Sequence, residues 1–307
     1  MRRTAIAALL VGGLLVTACG DADTADTADT ADTGAPPDSG APPDTGAPTD
    51  TGADDATCAA GKTLTADVLT IATGEPAFEP WVVDDAPESG QGFEAAVAYA
   101  VAGEMGFPDD QVTWVRTTFD EAIQPGAKNF DFNLQQYSIS PEREESVSFS
   151  DPYYSSNQAI VALEGSPAEG ASAVADLKDV KFGAQAGTTS LTFITDVIQP
   201  DAEPFVYDDN VGAKAALEAN QIDAIVVDLP TALFISAVEI EGSSVVGQFP
   251  GDAGETTDDF GLLFEKDNPL VECANAAIAT LRDSGELQEI TDQWLVTEGV
   301  APVITVE

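Results

Sequence analysis

The stretch KFGAQAGTTSLTFITDVIQPDAEPFVYDDNVGAKAALEANQIDAIVVD, residues 181–228, alternates short apolar segments with segments of helical periodicity. The pattern predicts strands at 181–184, 205–207 and 222–227, and helices at 188–198 and 212–219. Alternation of strand and helix at this spacing is typical of mostly parallel sheets with helices on both faces.

An earlier part of the chain repeats this pattern. Strands are predicted at 69–72, 112–115 and 130–134, with a helix that starts near Phe93. A late helix opens at Asn268 and Pro269 and ends at Gly285. Two such series predict an α/β protein of two lobes, each a mostly parallel sheet flanked by helices. Because ligands of such sheets bind beyond the carboxyl ends of the strands, we expect a cleft between the lobes.

The composition excludes several functions. The 307 residues include 54 acidic and 11 basic side chains, a formal net charge of −43, which argues against nucleic acid and anionic lipid as partners. The absence of histidine removes the commonest general base and most zinc sites, so no catalytic residue and no metal are predicted. Adjacent acids such as Asp258 and Asp259 are expected by chance in so acidic a chain. The run GQGFEA at 90–95 matches a dinucleotide pattern, but no strand precedes it, so no cofactor is predicted.

The amino terminus is predicted to direct export. Two arginines precede a short apolar run that suits a signal peptide over residues 1–18 and is too short to span a bilayer. The sequence VTAC, ending at Cys19, resembles the lipobox of bacterial lipoproteins, which implies that Cys19 carries the lipid. The alternative is an ordinary export cleavage site followed by an incidental cysteine.

Residues 19–60 are predicted to be a disordered tether. Repeats rich in Ala, Asp, Thr, Pro and Gly cannot bury enough apolar surface to offset the entropy of the chain. The folded part that follows is also strongly acidic. We expect a surface adapted to high salt, the alternative being a merely acidic exported protein.

Two motifs carry a resemblance to a known family. SISPER at 138–143 and FSDPYY at 149–154 resemble the signature of the family 3 solute-binding proteins, which bind amino acids for ABC importers. Further blocks follow in the family's order: FEPW at 78–81, GFE at 92–94, QAGTT at 185–189 and DAIVVD at 223–228. The resemblance covers about 61–297 and implies the two-lobed type II fold of periplasmic binding proteins.

The resemblance also implies a binding site. It assigns Arg143 and Ser138 to the ligand carboxylate, together with Thr188 and Thr189, and it assigns Asp228 to the ligand ammonium. A guanidinium suits a carboxylate, although Arg143 taken alone could equally pair with Glu144 or Glu145. Asp228 and Thr188 could likewise be ordinary helix caps. The remaining site residues implied by the family are Phe78 and Phe119 as aromatic walls, Gln136 as a source of backbone groups, and Glu75 near the ligand side chain.

The side-chain end of the site departs from the family at QQY, residues 135–137, where small residues are usual. These polar groups, with Glu75, favour a polar or cationic amino acid over a branched-chain one.

Two cysteines remain after Cys19. Export into an oxidising space, and the family's packing of the late helix on lobe 1, lead us to expect a disulfide between Cys58 and Cys273. The alternative is a pair of unrelated buried thiols.

The predicted protein is an extracytoplasmic lipoprotein, held to the outer face of the cytoplasmic membrane by its lipid alone. It is expected to act as a monomer that closes on a free amino acid and delivers it to an ABC permease. Lobe 1 is predicted at 61–157 and 251–307, and lobe 2 at 158–250. The alternatives are an enzyme on the same fold, such as a cyclohexadienyl dehydratase, and a surface adhesin or sensor ectodomain.

Overall fold

The computed structural model describes residues 58–249, 251, 258–295 and 301–306. Its first sheet has five strands. The predicted signal peptide, Cys19 and the tether up to residue 57 lie outside the described residues. In sheet order the strands are β2 (Val112–Thr117), β1 (Leu69–Gly74), β3 (Phe132–Asn133), β12 (Leu263–Glu265) and β4 (Val147–Phe149). Three helices pack with this sheet around one apolar core: α1 (Phe93–Glu104), α7 (Val271–Ser284) and α8 (Glu286–Trp294).

The second sheet also has five strands and carries an apolar core on each face. In sheet order they are β10 (Ser243–Gln248), β6 (Gln158–Leu163), β9 (Ala224–Asp228), β7 (Phe182–Gln185) and β8 (Phe205–Tyr207). Its helices are α4 (Thr189–Phe193), which continues as a π-helical turn over Ile194–Ile198, α5 (Asn210–Glu218) and α6 (Leu229–Phe234). Within the part of the chain that the structure describes, no helix is long and apolar enough to cross a membrane.

A two-stranded ribbon links the sheets. β5 (Tyr154–Ser156) leads directly into β6, and β11 (Asp258–Phe260) leads into β12; β5 and β11 pair antiparallel. Two short helices, α2 (Phe119–Ile123) and α3 (Pro141–Glu144), lie in connections of the first sheet. The two α/β lobes expected from the sequence are therefore present.

The sheets are mostly parallel, as expected, except for one strand in each. Each sheet contains one reversed strand, so that β12 pairs antiparallel with β3 and β4, and β6 with β9 and β10. The reversed strands are those that enter their sheet directly from the β5–β11 ribbon. A parallel neighbour requires a crossover connection of the kind a helix supplies, and neither β6 nor β12 follows one.

The carboxyl-terminal residues 301–306 pack against the second sheet, although they fall in the stretch predicted as lobe 1. Val303 and Thr305 form bridges with Gln248 and Ala173, and the amide of Ile304 donates to the Gln248 carbonyl at 2.8 Å. The Ile304 side chain is fully buried in the apolar cluster of that sheet. The chain therefore contributes to the second lobe again after the helices of the first.

A disulfide joins Cys58 to Cys273 of α7, with their Cα atoms 5.8 Å apart. Because the bond closes a loop with a sequence separation of 215, we expect its removal to lower the free energy of unfolding by about 2–4 kcal/mol. Denaturant unfolding of the mature protein, with and without reductant, measures this loss. The double variant Cys58→Ser/Cys273→Ser should unfold at the same denaturant concentration with and without reductant. Two reactive thiols in the non-reduced protein would contradict the pairing.

Candidate functional site

A cavity lies where the strand ends of the two sheets face each other. The residues that line it include eight of those predicted from the sequence: Phe78, Phe119, Gln136, Ser138, Arg143, Thr188, Thr189 and Asp228. The structure thus brings together residues from both lobes that are far apart in the sequence.

Glu75 is the predicted site residue that does not line this cavity. It is exposed and follows β1, which ends at Gly74. Side chains alternate between the faces of a sheet only while the strand continues, and the chain leaves the strand before Glu75. Thr73, the last β1 residue with a side chain, lines the cavity instead.

Arg143 spans the two lobes at one side of the cavity. From α3 its Nη1 donates to the Ser138 carbonyl at 2.7 Å and its Nη2 donates to the Gly187 carbonyl, in the second lobe, at 2.9 Å. Its guanidinium carbon lies 5.4 Å from the centre of the Phe119 ring. Among the described residues it forms no ion pair with Glu144 or Glu145, the alternative considered from the sequence. Its remaining N–H groups have no partner in the described part of the chain and can hold an anion.

Gly187 lies in the turn between β7 and α4 and has a positive φ of 69°. A Cβ at this position would come within 2.8 Å of the Asp120 Oδ1 atom. The next residue, Thr188, is the N-cap of α4 and accepts a hydrogen bond from the Leu191 amide at 3.2 Å. Its hydroxyl donates to the Gln185 carbonyl at 2.8 Å, so Thr188 performs the ordinary capping role as well as lining the cavity.

Asp228 ends β9 and caps α6. Its Oδ1 accepts from the Thr231 amide at 2.9 Å and its Oδ2 accepts from the Thr231 hydroxyl at 2.8 Å. That hydroxyl also accepts from Trp81 Nε1 at 2.8 Å, which connects the cap to the first lobe. Burial raises the pKa of Asp228 to about 6, against the Thr231 bonds that lower it and with a smaller contribution from the charge of Asp258.

A second carboxyl group faces this cavity and had no assigned role in the sequence prediction. Glu94, in the first turn of α1, is 1% exposed and accepts hydrogen bonds from the Gln136 amide at 2.8 Å, from the Gln136 side chain and from the Tyr153 hydroxyl. Burial raises its pKa to about 7, opposed by these bonds and assisted by the charge of Asp228. The sequence signal was a single charge in the otherwise apolar segment of α1.

The pKa of Glu94 predicts how the ligand-free protein responds to pH. Between the ordinary value of 4.5 and about 7 the folded state keeps a proton that the unfolded state has released, so stability falls as pH rises through this window. Glu94→Gln removes the buried charge. We expect this variant to be more stable than the wild type by about 1–3 kcal/mol at pH 8 and nearly equal at pH 5.

Urea unfolding without ligand at the two pH values measures this difference. Glu218→Gln, which changes an exposed glutamate, serves as the control and should alter stability little at either pH. Equal stability of Glu94→Gln and the wild type at pH 8 would show that the buried charge of Glu94 does not destabilise the folded protein.

Aromatic rings form two walls of the cavity, as the sequence predicted. Phe119 stacks on Tyr137 with ring centres 4.6 Å apart, and Tyr137 is fully buried beneath it. Phe78 lies under the Lys214 ammonium, 5.0 Å from the ring centre, and Lys214 also pairs with Glu239 at 2.6 Å. Tyr137 therefore supports the wall formed by Phe119. The other large residue of this segment, Gln136, bonds to Glu94 through its side chain.

A hydrogen-bonded network, here called the Asp258 network, closes the cavity beside Arg143. It consists of Asp258, Ser138, Thr189 and Gln158. Asp258 Oδ1 accepts from the Ser138 hydroxyl at 3.1 Å, and its Oδ2 accepts from Gln158 Nε2 at 2.7 Å. The Ser138 and Thr189 hydroxyl oxygens are 3.2 Å apart. Asp258 is 8% exposed, and burial raises its pKa against the hydrogen bonds from this network and the charge of Arg143. In the sequence, Asp258 is indistinguishable from an acid present by chance.

Comparisons with known proteins identify a matching family and several similar proteins. The family model described as bacterial extracellular solute-binding proteins, family 3, matches residues 69–297. The arginine-binding periplasmic protein of Mannheimia haemolytica is 28% identical over 242 residues, which are 78% of this chain and 96% of the relative.

Solved structures of amino-acid-binding proteins are similar to this chain in sequence and fold. An ancestral arginine-binding protein bound to arginine is 29% identical, with a TM-score of 0.61 over 74% of this chain and 98% of that one. An ancestral amino acid-binding protein, described as a precursor of cyclohexadienyl dehydratase, is 26% identical, with a TM-score of 0.60 over 75% of this chain and 96% of that one.

Proposed function

Because this chain belongs to the bacterial extracellular solute-binding proteins of family 3, we propose that it captures a free cationic amino acid between its lobes and delivers it to an ABC permease. Arginine is the first candidate, since the relative from Mannheimia haemolytica is named for arginine binding. The observation that carries the proposal is the presence of Arg143, Glu94 and Asp228 in one cavity.

Recognition of an amino acid requires an anion site and a cation site in the same cavity. Arg143 supplies the anion site through the N–H groups that its two carbonyl partners leave available. Asp228 supplies the cation site, since its capping bonds come from Thr231 and each carboxylate oxygen can accept more than one hydrogen bond.

The charge of the cavity favours a ligand with a net positive charge. When ionised, Glu94, Asp228 and Asp258 carry three negative charges beside the single positive charge of Arg143. A neutral zwitterion would leave this excess uncompensated, whereas arginine or lysine adds one positive charge, and buried charges are costly unless they are paired. In the ligand-free protein burial raises the pKa of both Glu94 and Asp228, and a cationic ligand would oppose that shift.

Ligand-dependent stabilisation tests the proposal directly. Purified mature protein should unfold at a higher temperature with arginine or lysine, and at 100 times the Kd the added stability is about 2.7 kcal/mol. Leucine, valine and glutamate serve as controls that lack a cationic side chain. Stabilisation by leucine or valine, without any response to arginine, lysine or glutamine, would overturn the proposed ligand class.

The proposal includes export and lipid anchoring at Cys19, which lies outside the described residues. On this view lobe 1 comprises 61–157 and 251–295, and lobe 2 comprises 158–250 together with residues 301–306. The protein acts as a monomer with an acidic surface adapted to high salt. Metabolic labelling with a fatty acid, compared between the wild type and Cys19→Ala, tests the anchor.

A second candidate function is an enzyme of the cyclohexadienyl dehydratase type. Two observations favour it: the likeness to an ancestral protein described as a precursor of that enzyme, and the buried Glu94, whose pKa of about 7 suits proton transfer. Turnover of prephenate or arogenate by the purified protein would support this candidate, and the absence of turnover together with tight arginine binding would reject it.

A further inference from the structure

We infer that Asp258 is a positioning residue that determines which end of the ligand the cleft recognises most strongly. By accepting hydrogen bonds from Ser138 and Gln158, it takes up donors that would otherwise be available on this wall of the cavity. The inference rests on the proposed function, because it concerns the same ligand site.

Counting the hydrogens of the Asp258 network leads to this conclusion. An ionised carboxylate only accepts hydrogen bonds, and each hydroxyl group has a single hydrogen to donate. The Ser138 hydrogen is donated to Asp258 Oδ1, and the Thr189 hydroxyl oxygen lies 3.2 Å from that of Ser138. Ser138 therefore has no hydrogen left for the carboxylate of a ligand.

Gln158, in the second lobe, also donates a side-chain hydrogen to Asp258. Its Nε2 donates to Asp258 Oδ2 at 2.7 Å and approaches the Thr189 hydroxyl at 3.5 Å, which fixes the orientation of the amide. Its Oε1 is buried and has no hydrogen-bond partner among the described residues. Gln158 lines the cavity, so a ligand N–H group that reaches this oxygen would supply its missing partner.

The consequence is an uneven recognition of the two ends of an amino acid. The ligand's ammonium and cationic side chain meet Glu94, Asp228 and the Gln158 oxygen, whereas its carboxylate has Arg143 as its side-chain donor. In the wild type, a cation that lacks the carboxylate therefore loses its bonds to Arg143 but no bond to the hydroxyl of Ser138. Once Asp258 no longer accepts these bonds, the hydroxyls and the Gln158 amide can turn their hydrogens toward a carboxylate.

The experiment compares each cationic amino acid with its decarboxylated form. Calorimetry gives the Kd of L-arginine and agmatine, or of L-lysine and cadaverine where lysine binds more tightly, for the wild type and Asp258→Asn. We expect the ratio of the amine Kd to the amino-acid Kd to rise by about tenfold in the variant, the size of one or two hydrogen bonds to a charged group. Asp259→Asn, the next residue of β11, makes the same change of charge and should leave the ratio within about twofold of the wild type.

The outcomes separate this inference from the proposed function. If Asp258 serves only to hold the ribbon between the lobes, both Kd values shift by the same factor and the ratio stays constant, which overturns the inference alone. Absence of binding of any amino acid by the folded wild type overturns the proposed function and the inference with it. Asp258→Ser provides a second variant that removes the acceptor carboxylate, and it should raise the ratio in the same direction if Asp258→Asn fails to fold.

Discussion

Arg143→Ala should weaken the binding of arginine or lysine by about 30- to 5,000-fold, the range expected when one partner of a desolvated charge pair is removed. The ligand carboxylate would lose its guanidinium, and the bond between Arg143 Nη2 and the Gly187 carbonyl, which joins the lobes, would be lost as well. Titration calorimetry at a fixed high salt concentration measures the change without interference from the acidic surface.

Two further variants distinguish the role of Arg143 from a general loss of charge. Arg143→Lys should also bind poorly, because an ammonium cannot bridge the Ser138 and Gly187 carbonyls and hold a carboxylate at the same time. Arg282→Ala removes an arginine that donates to the Pro152 carbonyl and does not line the cavity, so its affinity should match the wild type. Wild-type affinity in Arg143→Ala would disprove the assignment of the anion site.

Asp228→Asn should reduce affinity for a cationic amino acid over the same range, about 30- to 5,000-fold, because the ligand ammonium would lose its charged partner. The substitution leaves the helix cap in place, since an asparagine oxygen can still accept from the Thr231 amide. Asp209→Asn is a matched control: Asp209 caps α5 by accepting from the Gly212 amide at 2.8 Å, and it does not line the cavity. If Asp228→Asn kept wild-type affinity while Asp209→Asn bound the ligand more weakly, the assignment of the ammonium site to Asp228 would be wrong.

The pH dependence of binding gives a second measurement on Asp228. Its pKa of about 6 in the ligand-free protein means that protonation removes the negative charge as the pH falls below that value. Wild-type affinity for arginine should therefore decrease between pH 8 and pH 5, with Glu94 contributing near pH 7. Asp228→Asn should show a smaller decrease, because Glu94 alone still titrates. An identical pH profile in both proteins would show that Asp228 does not face the ligand ammonium.

Much of the candidate site could be predicted from the sequence because it lies where strands end. Asp228 ends β9, Thr188 and Thr189 start α4, and Arg143 follows the proline that opens α3. At each of these positions the neighbouring residues indicate the end of a strand or the start of a helix. The resemblance of the ordered motifs to the family then implied that all of them bind the ligand. Glu75, which the resemblance placed near the ligand side chain, does not line the cavity, because the chain leaves β1 at Gly74.

The sequence by itself determined the alternation of strands and helices, the two lobes, the pairing of Cys58 with Cys273, and two charged residues of the cleft, Arg143 and Asp228. Only the tertiary structure decided the reversed strands β6 and β12, the packing of residues 301–306 on the second lobe, and the roles of Glu94 and Asp258. Asp258 bonds to residues 100 and 120 positions away, and Glu94 to one 59 positions away. Periodicity and capping arise from interactions within a few turns of chain, whereas the burial and hydrogen bonding of an acid depend on which distant segments pack around it.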